Sequence, residues 1–124
     1  MPHLKKRQPL GNHDDCRYKV LAINDTLDIL RGKWKILIIG ALIFGKKRFK
    51  ELQREVGKIT PKMLSKELKE LEMNELVQRT VHTTIPVAVE YELTPYGATL
   101  QKVIDELFEW GIAHRKRITE KKNK

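Results

Sequence analysis

Residues 59–74 read ITPKMLSKELKELEMN, and the fold of the chain is decided by how they are wound. As a helix at about 100° per residue, the stretch brings Leu64, Leu68 and Leu71 within roughly 60° of one another and gathers Lys62, Lys66, Lys69 and Met73 on the opposite side. One side must enter a core; the other carries cationic charge outward. The start is well marked: Thr60 suits the N-cap, Pro61 suits the first helical position, and Ile59 and Leu64 stand where a hydrophobic staple packs. Lysines on the outer face of an amphipathic helix are most often just solvated charge, so the neighbouring segments have to settle the matter.

Just upstream, RFKELQREV at 48–56 spaces Phe49, Leu52 and Val56 as a short helix stopped by Gly57. Downstream, LVQRTVH at 76–82 and VAVEYEL at 87–93 alternate as two strands, with residues 83–86 as a hairpin tip. Towards the N-terminus, Val20, Ile23, Leu27 and Leu30 predict a helix over 19–31 that Gly32 ends, and KWKILIIGALIF at 33–44 is apolar nearly all round, as befits a core helix. Lys46, Lys47 and Arg48 form an extended link suited to pair with the ribbon as a third strand. The last element opens with Thr94 as N-cap and Pro95 at the first helical position and runs to residue 117. Helix, turn, helix and ribbon in this order predict a winged helix-turn-helix: mainly α with a small antiparallel β-sheet, the second helix entering a major groove and the hairpin flanking it as a wing.

With 124 residues, 40% of them apolar, the chain has room for one domain. We read residues 1–17 as a flexible basic N-terminal arm, 18–117 as the domain and 118–124 as a basic C-terminal tail. The net charge of +9 is unevenly spread: nine Lys and Arg face two Glu over residues 31–60, and six face one over 113–124. Such blocks suit nucleic acid better than lipid, because a membrane-surface helix needs a long basic amphipathic stretch at an end. The longest apolar run, residues 36–44, is too short for a bilayer core, which needs about twenty residues, and no signal peptide is visible. A single cysteine, Cys16, excludes an internal disulfide, and the combined expectation is a cytoplasmic location. His3, His13, His82 and His114 lack metal-ligand spacing, and there is no phosphate loop or nucleophile elbow, so neither catalysis nor a metal or other cofactor is expected.

In the last helix, Tyr96, Leu100, Val103, Leu107 and His114 form a stripe that Ile104, Phe108 and Trp110 widen. A stripe this broad exceeds what one small domain can cover. The economical cover is a second copy of the chain, since two-fold dimers are the commonest assembly and can address two half-sites at once.

Five segments in order, GKWK at 32–35, KRFKELQREV at 47–56, ITPKMLSKELKELE at 59–72, VEYELTPYG at 89–97 and EWGIAH at 109–114, make residues 24–117 resemble the HxlR-type winged helix-turn-helix transcriptional regulators of the MarR-like superfamily. The resemblance implies a bacterial or archaeal homodimer, joined through its N- and C-terminal helices, that binds operator DNA, with 60–74 as recognition helix and 82–87 as wing. It also favours repression. Thr60, Lys62, Ser65, Lys66 and Lys69 are then expected at base edges and flanking phosphates; Lys46, Lys47 and Arg48 on the DNA backbone; and His82, Thr83 and Thr84 in the wing. Leu100, Val103, Ile104, Leu107, Phe108 and Trp110 are expected in the dimer interface. Many members carry an oxidant-sensing cysteine shortly before GKW. Here Cys16 lies eighteen residues before Trp34, and Arg17 replaces the usual proline. Arg17 and Lys19 favour thiolate chemistry at Cys16 while Asp14 and Asp15 oppose it, which leaves redox sensing and an inert thiol both open. A basic face could also meet an acidic protein partner. RNA is a weaker fit, because Tyr18, Tyr91 and Tyr96 do not cluster into a stacking platform.

Overall fold

The computed structural model describes residues 15–123. The chain divides after Gly32. The first unit contributes α1 (Cys16–Ile29), whose start is set by Asp15: its carboxylate accepts the Arg17 amide at 2.8 Å. This cap starts the helix three residues earlier than the apolar spacing predicts, so Cys16 and Arg17, expected in the flexible arm, are helical. The rest of that arm, residues 1–14, lies outside the described residues. Val20, Ile23 and Leu27 of α1 are exposed.

The second unit is built on α2 (Trp34–Leu42), which buries Ile38, Ile39 and Leu42. Gly45, at φ 129°, takes a conformation that a side chain would resist and turns the chain into β1 (Lys47–Arg48). α3 (Phe49–Val56) follows, capped by the Glu51 carboxylate on the Arg48 amide at 2.8 Å, and sinks Leu52 completely. α4 (Pro61–Met73) begins as the sequence indicates, with Thr60 Oγ1 accepting the Met63 amide at 3.1 Å and Leu64, Leu68 and Leu71 buried. It ends in a Schellman turn: the Leu76 amide donates to Leu71 O at 3.0 Å and the Glu75 amide to Glu72 O at 2.9 Å. Glu75 takes the left-handed position, φ 62°, that glycine usually fills.

β2 (Val77–His82) and β3 (Ala88–Leu93) form the ribbon, paired from Val77↔Leu93 to His82↔Ala88, with a cis Ile85–Pro86 peptide at its tip. β1 joins the outer side of β3, Lys47 opposite Tyr91, so the antiparallel sheet runs β1-β3-β2 and the expected third strand is present.

The final element differs from the single helix expected over 94–117. It is a short α5 (Pro95–Ala98) and a long α6 (Gln101–Lys122). Thr94 holds α5 from both sides, its hydroxyl accepting the Gly97 amide at 2.9 Å and donating to Glu75 O at 2.6 Å. Gly97 sits so close to the Leu76 carbonyl that a Cβ would overlap it. Tight i→i−3 bonds then close the turn, from the Thr99 amide to Tyr96 O and from the Leu100 amide to Gly97 O, before α6 sets off anew. α6 also extends through residues 118–122, expected as a tail. Lys121 and Lys122 in its last turn complement the helix dipole. α6 meets α2 where Ile104 lies over Gly40, but none of its residues is fully buried. Phe108 and Trp110 are 61% and 70% exposed, with Trp110 stacked on His114 at 5.0 Å. Leu37, Phe44, Leu107 and Phe108 line an apolar hollow of about 470 Å³ between α2, α3 and α6. Among the described residues, no helix is long and apolar enough to cross a membrane.

Candidate nucleic-acid interface

The leucine face of α4 is spent on the core, which turns Lys62, Ser65, Lys66 and Lys69 outward together with Met73 around a surface depression of about 500 Å³. Thr60 is exposed beside them, its hydroxyl oxygen engaged as the helix cap. Four of the five residues expected to read DNA, Lys62, Ser65, Lys66 and Lys69, therefore share one face of α4, while Thr60 stands at its N-terminus as the cap. Lys62 and Lys69 make no ion pair among the described residues, whereas Lys66 Nζ lies 3.1 Å from Glu70 Oε2 and 4.0 Å from Glu67 Oε2.

Beneath this face is a network that the sequence reading missed. Lys35 of α2, only 4% exposed, donates to Glu67 Oε1 at 2.5 Å and Glu70 Oε1 at 2.6 Å, and Glu67 is itself 6% exposed. Burial alone would lower the Lys35 pKa; hydrogen bonds and charge from Glu67 and Glu70 outweigh it and raise the value above its usual 10.5. The Glu70 carboxyl is held below its usual range, first by the hydrogen bond from Lys35 and then by that from Lys66. An unpaired buried ammonium would be costly, so these bonds tie the core helix to α4 in a defined register. A signal was available: Lys35 stands at i, i+3, i+4, i+7 spacing with Ile38, Ile39 and Leu42, and Glu67 flanks the leucine face of α4.

The link before α3 splits its three cations. Lys46 and Arg48 are exposed, with Lys46 Nζ 3.8 Å from Glu90 Oε1. Lys47, expected with them on the DNA backbone, does not join them. Strand alternation turns it to the other side, where its side chain is 15% exposed and pairs with Glu55 at 3.5 Å. In the wing, Thr83 and Thr84 are exposed at the tip and Thr84 Oγ1 donates to Pro86 O at 2.7 Å. His82 is turned back to Glu90, Nε2 to Oε1 at 2.7 Å, a pairing not foreseen from sequence. That hydrogen bond, with the charges of Lys46 and Arg48, keeps the Glu90 carboxyl below its usual range against the opposing effect of burial. Cys16 is an exposed free thiol at the start of α1. No cluster of three His, Cys, Asp or Glu side chains suited to a metal occurs among the described residues.

A capped basic helix presented after a helix and a tight turn, with a two-stranded ribbon beside it, defines the class: a winged-helix DNA-binding transcriptional regulator. The HxlR-like helix-turn-helix pattern matches residues 29–119, and the chain belongs to that family. It is 42% identical over 98 residues to the HTH-type transcriptional regulator YtcD of Bacillus subtilis, spanning 79% of this chain and 78% of that one. Among solved structures it is similar to the redox regulator HypR in its reduced form, with a TM-score of 0.74 and 39% identity over 80% of this chain and 98% of that one. The reduced form of YodB from B. subtilis gives 0.65 and 43%, covering 72% and 87%.

Proposed function

We propose that the chain works in the cytoplasm as a homodimeric, sequence-specific repressor, laying the N-terminal half of α4 from each subunit into successive major grooves of an inverted-repeat operator. The observation that carries this reading is the convergence of Lys62, Ser65, Lys66 and Lys69 on one exposed face of α4. Lys46 and Arg48 supply phosphate contacts, and the nearly uncharged wing adds little attraction. The uncovered apolar side chains of α6 support a second copy as partner: Val103, Leu107, Phe108 and Trp110 remain exposed in the single chain, with Leu100 and Ile104 half-buried beside them. No catalytic step is assigned to any residue.

The test is affinity for duplex DNA against salt. Six to ten neutralised phosphates per dimer give a log–log slope of about −5 to −9. Lys69→Ala should weaken binding, and single strands should bind less well than a preferred duplex. Equal binding to single strands, heparin and duplex would favour the other reading, a protein-contact module for an acidic partner. The accessible Cys16 thiol supports an oxidant input to the same device. Diamide should then weaken operator binding by the wild type and not by Cys16→Ser; equal insensitivity of both removes this input.

A further inference from the structure

We propose that Glu70 is a specificity-determining residue of the reading face: clamped between Lys35 and Lys66, its carboxylate holds Lys66 in one place and suppresses sequence-blind attraction to DNA. The inference rests on the DNA-binding reading above and deepens it. Among the described residues, Glu70 is the one carboxylate lining the depression that Lys62, Ser65, Lys66 and Lys69 surround. A negative charge there is unfavourable for binding any polyanion, so its placement among three lysines calls for a compensating role.

The geometry supplies that role. Each Glu70 oxygen serves a different ammonium, Oε1 taking Lys35 at 2.6 Å and Oε2 taking Lys66 at 3.1 Å. An i,i+4 pair on an open helix surface is ordinarily mobile and weak. Here one end is fixed by a buried lysine that Glu67 also holds, so Glu70 cannot follow Lys66 out into solvent without breaking a bond inside the protein. Lys66 is thereby restrained, and its remaining N–H donors have a set origin from which guanine O6 and N7 are distinguishable from other edges. A lysine without such a tether is a flexible point charge that any phosphate satisfies. Lys62 and Lys69, unpaired among the described residues, are of that second kind.

The experiment compares a duplex selected from random sequence by the wild-type chain with a scrambled duplex of the same composition. Glu70→Gln keeps the shape and removes the charge. It should raise affinity for the scrambled duplex about three- to tenfold and steepen its salt slope by about 1 as Lys66 gains a phosphate. It should raise affinity for the selected duplex less, so that the ratio of the two falls. Lys66→Met, at an exposed position, should lose a similar part of the ratio without the gain on scrambled DNA. An unchanged ratio in folded Glu70→Gln, or an equal rise on both duplexes, overturns the proposal. Should Glu70→Gln fail to fold, an unchanged ratio in Lys66→Met overturns it alone. A wild type that binds both duplexes alike refutes sequence-specific DNA binding itself, and this is seen before any variant is made.

Discussion

Replacing Lys35 by methionine tests whether the buried network joins α2 to α4 as described. Methionine fills much of the same volume, so the perturbation is the lost ammonium. Glu67, 6% exposed, is left without its main partner. Removing one partner of a buried ion pair ordinarily costs about 3–5 kcal/mol. Lys66 Nζ, 4.0 Å from the other Glu67 oxygen, offsets part of this. Glu70 is more exposed and rehydrates, so it adds little. The expected loss is therefore about 2–3.5 kcal/mol at pH 7, measured by urea unfolding. The double variant Lys35→Met/Glu67→Leu, apolar at both positions, should recover most of it. A loss under about 1 kcal/mol, or a double variant less stable than the single one, would show that the network does not join the two helices as described.

Glu75→Gly relieves a left-handed residue at φ 62° in the Schellman turn and should raise stability by about 0.5–1 kcal/mol in urea; destabilisation would contradict that reading of the turn. Glu70 and Glu90 are held below their usual 4.5, so their contributions are complete above that pH and fade as it falls through the lower folded-state values. Lys35 is held above its usual 10.5, so its contribution is complete below that pH and fades as it rises through the higher folded-state value. Urea midpoints should thus decline at both extremes, and Lys35→Met should lose the alkaline limb that this group supplies. Phe108→Asp places a charge on the exposed face of α6 and should give a monomer in sedimentation equilibrium; an unchanged dimer would move the interface elsewhere.

Local chemistry was legible in the sequence where one or two neighbours decide it. Thr60 and Pro61 place the start of α4 to the residue, the leucine spacing identifies its buried face, and alternation finds β2 and β3 within a residue. What escaped depends on contacts across the chain. The partners Lys35 and Glu67 are 32 residues apart, and in a basic sequence Lys35 reads as one more solvated charge until α2 and α4 are packed. Lys47 reads as equivalent to Lys46 and Arg48 until strand pairing turns it towards Glu55. The break between α5 and α6 hinges on the close approach of Gly97 to the Leu76 carbonyl, which a helical pattern running through residue 97 conceals. The α1 boundary differs for a local reason: the apolar spacing begins at Lys19, whereas the capping side chain of Asp15 starts the helix at Cys16.

On the proposed function, two copies of the chain present α4 to adjacent turns of duplex DNA. Selection of bound duplexes from a random pool tests it most directly. The expected result is enrichment of an inverted repeat whose half-sites lie about one helical turn, 10–10.5 base pairs, or a multiple of it apart, bound by two chains. Enrichment of no motif, or of a single half-site bound by one chain, would contradict it.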